Sequence, residues 1–240
     1  MIEITDVSKN FGGRTVVRDL TLQVPEGKIF GFLGPNGAGK STTIKMITGI
    51  LPLDSGSIVI NGTDITTDPL KAKRHFGYVP DKSDAFLRLK GREYLNFIAD
   101  IYGVPEDQRN DRITYYTEQL DINEALEDQL HTYSHGMRQK AVLCGVLLHQ
   151  PDVWILDEPL TGLDPKSAYT LKKLMREQAD AGKTIFFSSH VLEVVEQLCD
   201  EVAIIDKGEL RFQGEMHELK EEFREGKTLE SLFLELTGDA

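Results

Sequence analysis

Residues 34–42 read Gly34-Pro35-Asn36-Gly37-Ala38-Gly39-Lys40-Ser41-Thr42, and the first eight fit the spacing G-x-x-x-x-G-K-[ST]. These residue types together suit one task, cradling a chain of phosphates. Glycines let the backbone curl until successive N–H groups face inward as an anion nest. A helix beginning near Lys40 points its positive end at the same place. Lys40 adds a mobile cation for the outer phosphates, and Ser41 offers a hydroxyl to Mg²⁺. The pattern needs a strand before it and a helix after it. Residues 28–33 (KIFGFL) form the short apolar run of a buried strand, and residues 40–50 have helical character.

A second group of candidates lies far downstream. Val153-Trp154-Ile155-Leu156-Asp157-Glu158 is an apolar strand ending in two adjacent carboxylates, where turn residues are the ordinary choice. A lone acid at such a place is commonly just a solvated strand end. With a phosphate loop upstream, the pair can instead deliver Asp157 to a Mg²⁺ shell and Glu158 to a water beside the terminal phosphate. His190 follows another apolar run, residues 184–189 (TIFFSS). A histidine there is often structural. In a parallel sheet, however, ligands gather at the carboxyl ends of the strands, so His190 is expected to converge with the loop and the acids on a γ-phosphate.

The elements that must position these groups follow from periodicity. The chain has 240 residues, enough for one large domain with a subdomain. Strands are predicted around Ile2, Ile4 and Val7, and over 16–24, 56–61 and 76–79. From 81 to 149 the spacing turns helical, as in Tyr94, Phe97, Ile98, Ile101 and then Ile113, Tyr116, Leu120. This predicts a helical subdomain inserted into an α/β core made of residues 1–80 and 150–214. Beyond that insertion, strands (153–156, 184–188, 201–205) alternate with helices (165–181, 191–198). A turn at Gly208 leads into a last strand over 210–213. The tail, 215–240, reads as charged and helical, and its Leu229, Leu232, Phe233, Leu236 face is expected to pack back on the domain rather than await a partner.

Composition narrows the function classes. Net charge is −12, which argues against a nucleic-acid partner. Cys144 and Cys199 stand apart from any metal-ligand spacing and read as buried thiols of a reducing compartment. The first residues, with Glu3 and Asp6, do not make a signal peptide. No run approaches the length of about 18 apolar residues that a membrane span needs. A cytoplasmic location is therefore expected.

Together these pieces resemble the nucleotide-binding domain of ABC transporters, across roughly residues 1–215. The discriminating stretch is Thr132-Tyr133-Ser134-His135-Gly136-Met137-Arg138-Gln139, which looks like the family signature, usually written LSGGQ. Ser134 and Gly136 match it. Physically, Ser134 would cap the following helix, whose N–H groups would face a phosphate. The resemblance implies that this phosphate belongs to ATP held by a second copy, so that a homodimer or pseudo-dimer sandwiches two ATP molecules with Mg²⁺. It implies that Phe11 stacks on adenine and that Asp164, after Gly162-Leu163, lies near the subunit interface. Asp81 falls where the family usually has a glutamine. As a carboxylate it can accept or bind metal but cannot donate as an amide does. His135, Met137 and Leu160 are further departures.

The expected fold is thus a P-loop NTPase core with an antiparallel β subdomain and an inserted α-helical subdomain. The expected function is ATP hydrolysis by Glu158, His190 and Lys40 that drives a separate membrane permease, docked near residues 82–105 on the inner face of the membrane. The tail LESLFLELTG looks like those of drug-, lipid- and peptide-type exporters. Two other classes remain open at this level. One is a soluble ABC-type ATPase, for instance of iron–sulfur cluster assembly. The other is a kinase-like phosphoryl transferase, which would leave the 134–136 stretch unexplained.

Overall fold

The computed structural model describes residues 1–82, 84–222 and 229–237. The phosphate-loop strand lies in the larger of two sheets. In chain order the elements begin with β1 (Ile2–Phe11), β2 (Arg14–Val24), β3 (Ile29–Leu33), α1 (Lys40–Ile47), β4 (Ser55–Ile60), β5 (Thr63–Asp64), α2 (Pro69–His75) and β6 (Phe76–Val79). Three helices follow, α3 (Gly91–Ile101), α4 (Glu106–Gln119) and α5 (His135–Leu148). The chain then runs through β7 (Val153–Asp157), α6 (Pro165–Asp180), β8 (Thr184–Ser189), α7 (Leu192–Leu198), β9 (Glu201–Asp206), β10 (Glu209–Glu215), α8 (Met216–Glu222) and α9 (Leu229–Thr237).

Among the described residues, one sheet is antiparallel in the order β2-β1-β4-β5. The other has the order β10-β9-β3-β8-β7-β6, parallel throughout except for the edge strand β10. Strand β3 shows why the larger sheet is buried on both faces. Its Phe30 and Phe32 join an apolar cluster with Ile2, Ile4, Leu22 and Ile44 from the small sheet and α1. Its Ile29 and Leu33 join a second cluster with Leu147, Leu171 and Val195 from α5, α6 and α7. A strand sandwiched in this way must be apolar on both faces, hence the continuous run rather than an alternation.

Register matters more than content for the site. Phe186 of β8 stacks against Phe30, with centroids 5.9 Å apart, and lies 5.4 Å from Phe32. Such pairs add about 0.5–1.5 kcal/mol each beyond burial. They hold the alignment in which Leu33 faces Ser189, while on the other side of β8 Asp157 faces Ser188.

Element ends differ modestly from the sequence reading. Helix α1 stops at Ile47 rather than running to residue 50, because Gly49 adopts φ +65°. There its N–H reaches the Met46 carbonyl and that of Ile50 reaches Lys45, a Schellman closure. Helix α2 was not anticipated, although Asp68 caps it by accepting from the Lys71 N–H and Pro69 opens it. In the tail, Leu232 is buried and Phe233 and Leu236 pack on the second cluster, so the α9 face is covered by its own domain. The Leu229 side chain and Gly238 lie outside the described residues.

Candidate nucleotide site

The phosphate loop joins β3 to α1. Gly37 and Gly39 hold φ of +82° and +112°, backbone space that side-chain-bearing residues rarely enter. Gly34 is needed for a different reason. A Cβ there would lie 2.3 Å from the Ile205 carbonyl oxygen of β9. Lys40 folds back over the loop, its Nζ donating to the carbonyls of Gly34 at 2.6 Å and Pro35 at 3.2 Å. It also stands 3.9 Å from Glu158. Burial pulls the Lys40 ammonium below the ordinary lysine range, and the charges of Glu158 and Asp157 oppose that pull.

The acids arrive on β7, which is separated from β3 only by β8. Asp157 is 2 % exposed. Its Oδ1 accepts from Ser188 Oγ at 2.7 Å and from Ser41 Oγ at 3.4 Å. Burial raises the Asp157 carboxyl above the usual carboxylate range, the two hydroxyls work against this, and Asp81 and Glu158 add to the rise. Glu158 follows in a left-handed conformation, φ +50°. Its N–H donates to Ser188 Oγ at 3.0 Å, and its Oε2 sits 3.0 Å from His190 Nδ1. His190 therefore contacts the acid directly instead of standing apart from it.

Lys40, Ser41, Thr42, Asp81 and Glu158 line one cleft of about 270 Å³, together with Val16, Pro35, Asn36, Gly37 and Gly39. A more apolar cavity of about 280 Å³ is lined by Glu158 and His190 together with Leu160, Phe187, Val191 and Val194. The first, polar cleft is the one that can take phosphates. The oxygens of Ser41 and Asp81 on its wall, with Asp157 behind Ser41, suit a hard cation such as Mg²⁺. No cluster of three His, Cys, Asp or Glu side chains at metal-ligating distance exists among the described residues, and nucleotide oxygens and water would complete the shell of a bound Mg²⁺.

Asp157 and His190 adjoin this cleft through Ser41 and Glu158 rather than line it, whereas Phe11, Ser134 and Gly136 lie away from it. Phe11 ends β1 with its ring 48 % exposed and Lys9 Nζ 5.6 Å from the ring centroid. Ser134 caps α5, accepting from the Met137 N–H at 3.2 Å, and faces solvent. Gly136 fits closely against the Gly162 carbonyl, where a Cβ would come within 2.6 Å. Ser188 escaped the sequence reading. The available signal was a hydroxyl pair, Ser188-Ser189, ending an otherwise apolar buried strand.

The ABC transporter family model matches residues 17–161. The linearmycin resistance ATP-binding protein LnrL of Bacillus subtilis (strain 168) is 36% identical over 210 residues, covering 88% of this chain and 68% of that one. A solved ATP-binding subunit of an ABC transporter superposes with TM-score 0.93 at 32% identity, covering 98% of this chain and 99% of its own. An ATP-binding cassette solved as a dimer in a post-hydrolysis state with ADP and Pi superposes at TM-score 0.82 and 20% identity, covering 90% and 99%, which speaks to fold alone. Phosphate loop, paired acids and strand-end histidine on a P-loop core, joined to these matches, make the chain a member of the ABC transporter family and an ATP-binding, ATP-hydrolysing subunit of it.

Proposed function

We propose that two copies of this chain close on two ATP molecules and power a separate membrane exporter. The observation that carries the reading is the meeting of Lys40, Ser41, Asp81 and Glu158 in one cleft, with His190 on Glu158 and Asp157 behind it. Glu158 polarises or deprotonates the attacking water, and His190 orients it from 3.0 Å. Lys40 leaves the loop carbonyls for the β- and γ-phosphates and stabilises developing charge. Mg²⁺, bound with the nucleotide, would be held by Ser41 and Asp157, with Asp81 beside them, and would neutralise phosphate charge. Phe11 offers its exposed ring to adenine.

The dimer is supported by what the cleft lacks. Ser134 and Gly136, at the free N-terminus of a 14-residue helix, lie outside their own chain's site. A second copy can present them to the γ-phosphate from the opposite side. Docking of a permease is supported by an apolar patch within residues 82–105. Phe86, Phe97 and Ile101 are 48 %, 39 % and 60 % exposed, with the two phenylalanine rings 5.2 Å apart. No helix among the described residues is long and apolar enough to cross a membrane. Membership of the ABC transporter family supports a separate membrane-spanning partner, with this subunit working at the cytoplasmic face. Export is supported by the tail and by the resistance role in the name of LnrL.

Glu158→Gln tests the reading. It keeps ATP binding, loses nearly all turnover and accumulates as an ATP-bound dimer on size-exclusion chromatography. Wild-type hydrolysis by this variant sinks the assignment of Glu158. Recovery of the native protein with a soluble scaffold, and not with an integral membrane protein, sinks the transport role.

A further inference from the structure

Gln139 sits on α5, one turn beyond the Ser134 cap, and is 2 % exposed. Its Nε2 donates to the Pro159 carbonyl at 3.0 Å and reaches the Glu158 carbonyl at 3.5 Å. Its Oε1 is buried and finds no partner among the described residues. A side chain kept for packing alone would not carry an unpartnered oxygen into the interior, because leaving such a group unpaired costs free energy. The donor end is what this position uses.

What it donates to is the turn that aims the candidate base. Glu158 holds φ +50°, a strained choice for a residue with a Cβ, and such strain persists only where the surroundings over-determine it. The N–H side of that residue is tied to Ser188 on β8. The carbonyl side and the next peptide are tied to Gln139. The neighbouring Lys140 holds the far end of the same loop, with its Nζ 2.9 Å from Asp164 Oδ2. Helix α5 thus grips the 158–164 segment at both ends.

We propose that Gln139 is a positioning residue for Glu158, its buried amide holding the left-handed turn that points the carboxylate into the phosphate cleft. The inference rests on the reading of Glu158 as the base. It gives Gln139 no contact with nucleotide, so its effect belongs in kcat rather than in ATP affinity.

The test is steady-state ATPase kinetics on the full chain for Gln139→Met, Gln139→Glu, Glu158→Gln and the Gln139→Met/Glu158→Gln double variant. Gln139→Met keeps the length and removes the donor. Its kcat falls on the order of tenfold to a hundredfold, the scale of a misplaced reacting group. Its KM for ATP stays within about twofold. In the Glu158→Gln background it causes no further loss, because both changes act through one carboxylate. Gln139→Glu places an acceptor against two carbonyls, and its deficit relative to wild type shrinks as pH falls, since the protonated carboxyl regains a donor. This pH profile separates positioning from loss of fold and remains readable should the Met variant be unstable. Wild-type kcat in Gln139→Met with an inactive Glu158→Gln overturns the inference alone, as does a pH-independent deficit in Gln139→Glu or a multiplicative loss in the double variant. Wild-type turnover in Glu158→Gln overturns instead the reading on which it rests.

Discussion

Replacing Gly34 by alanine isolates the geometric requirement of the phosphate loop. A methyl group there would meet the Ile205 carbonyl oxygen at 2.3 Å, with Ala38 Cβ and Ile205 Cγ2 each at 3.0 Å. The first contact is with backbone of the central strand β9, which pairs with β3 over 30–33 and cannot yield cheaply. Restoring ordinary contact therefore moves the loop by about 1 Å, at an overpacking cost of about 1–3 kcal/mol. The loop amides proposed to face phosphate move with it. Losing a single hydrogen bond to a charged phosphate costs about 1.5–3 kcal/mol, which is roughly tenfold to a hundredfold in Kd. Gly37→Ala supplies the control. Its φ is +82°, yet nothing lies within 4 Å of the added methyl. It pays a conformational cost of about 1–2 kcal/mol without displacing the loop from β9. Isothermal titration with ATP, paired with urea denaturation, separates the two. The expected outcome is a large loss of affinity in Gly34→Ala and a smaller one in Gly37→Ala at similar stability. Equal, near wild-type affinities refute the close-approach argument.

Other perturbations probe the remaining parts. Lys40→Ala removes the loop's cation and lowers ATP affinity in a nucleotide titration, because no other ammonium lines the cleft among the described residues. Ser188→Ala strips Asp157 Oδ1 of its 2.7 Å donor and the Glu158 N–H of its acceptor, both within a buried strand end. A loss of about 1–3 kcal/mol in urea denaturation is expected, together with reduced turnover. His149 gives a pH signature. Burial lowers its pKa from 6.5 to about 4, with Lys183 contributing, and its ring stacks on Tyr102 with centroids 3.7 Å apart. The unfolded imidazole takes up a proton below its ordinary value while the folded one does not until about pH 4, so stability falls as pH drops through that window. Allowing for partial solvent access, the decline between about pH 7 and pH 5 is about 1–2 kcal/mol. His149→Phe keeps the stack and should flatten this part of the urea-derived pH profile; an unchanged slope rules His149 out as its source.

Chemistry that sits within a few consecutive residues was legible before any fold was known. Residues 34–42 carry their own nest, and the acids at 157 and 158 stand out because an apolar strand ends on two charges. The Ser134 cap was legible on the same grounds, since an N-cap bonds only to the turn that follows it. None of these local patterns says that β8 runs between β3 and β7. Strand order is a long-range choice made by packing two sheet faces at once, and it alone places Ser188 between Asp157 and the Glu158 amide and His190 on the Glu158 carboxylate. The same holds for Gln139, an ordinary polar residue of a helix by sequence. Its distinction is a buried donor aimed at a loop about twenty positions away, a separation no short pattern encodes. Sequence by itself determined the identity of the groups proposed to bind phosphate; tertiary structure decided which neighbours fix their direction, because hydrogen bonds between elements depend on register and strand order rather than on spacing along the chain.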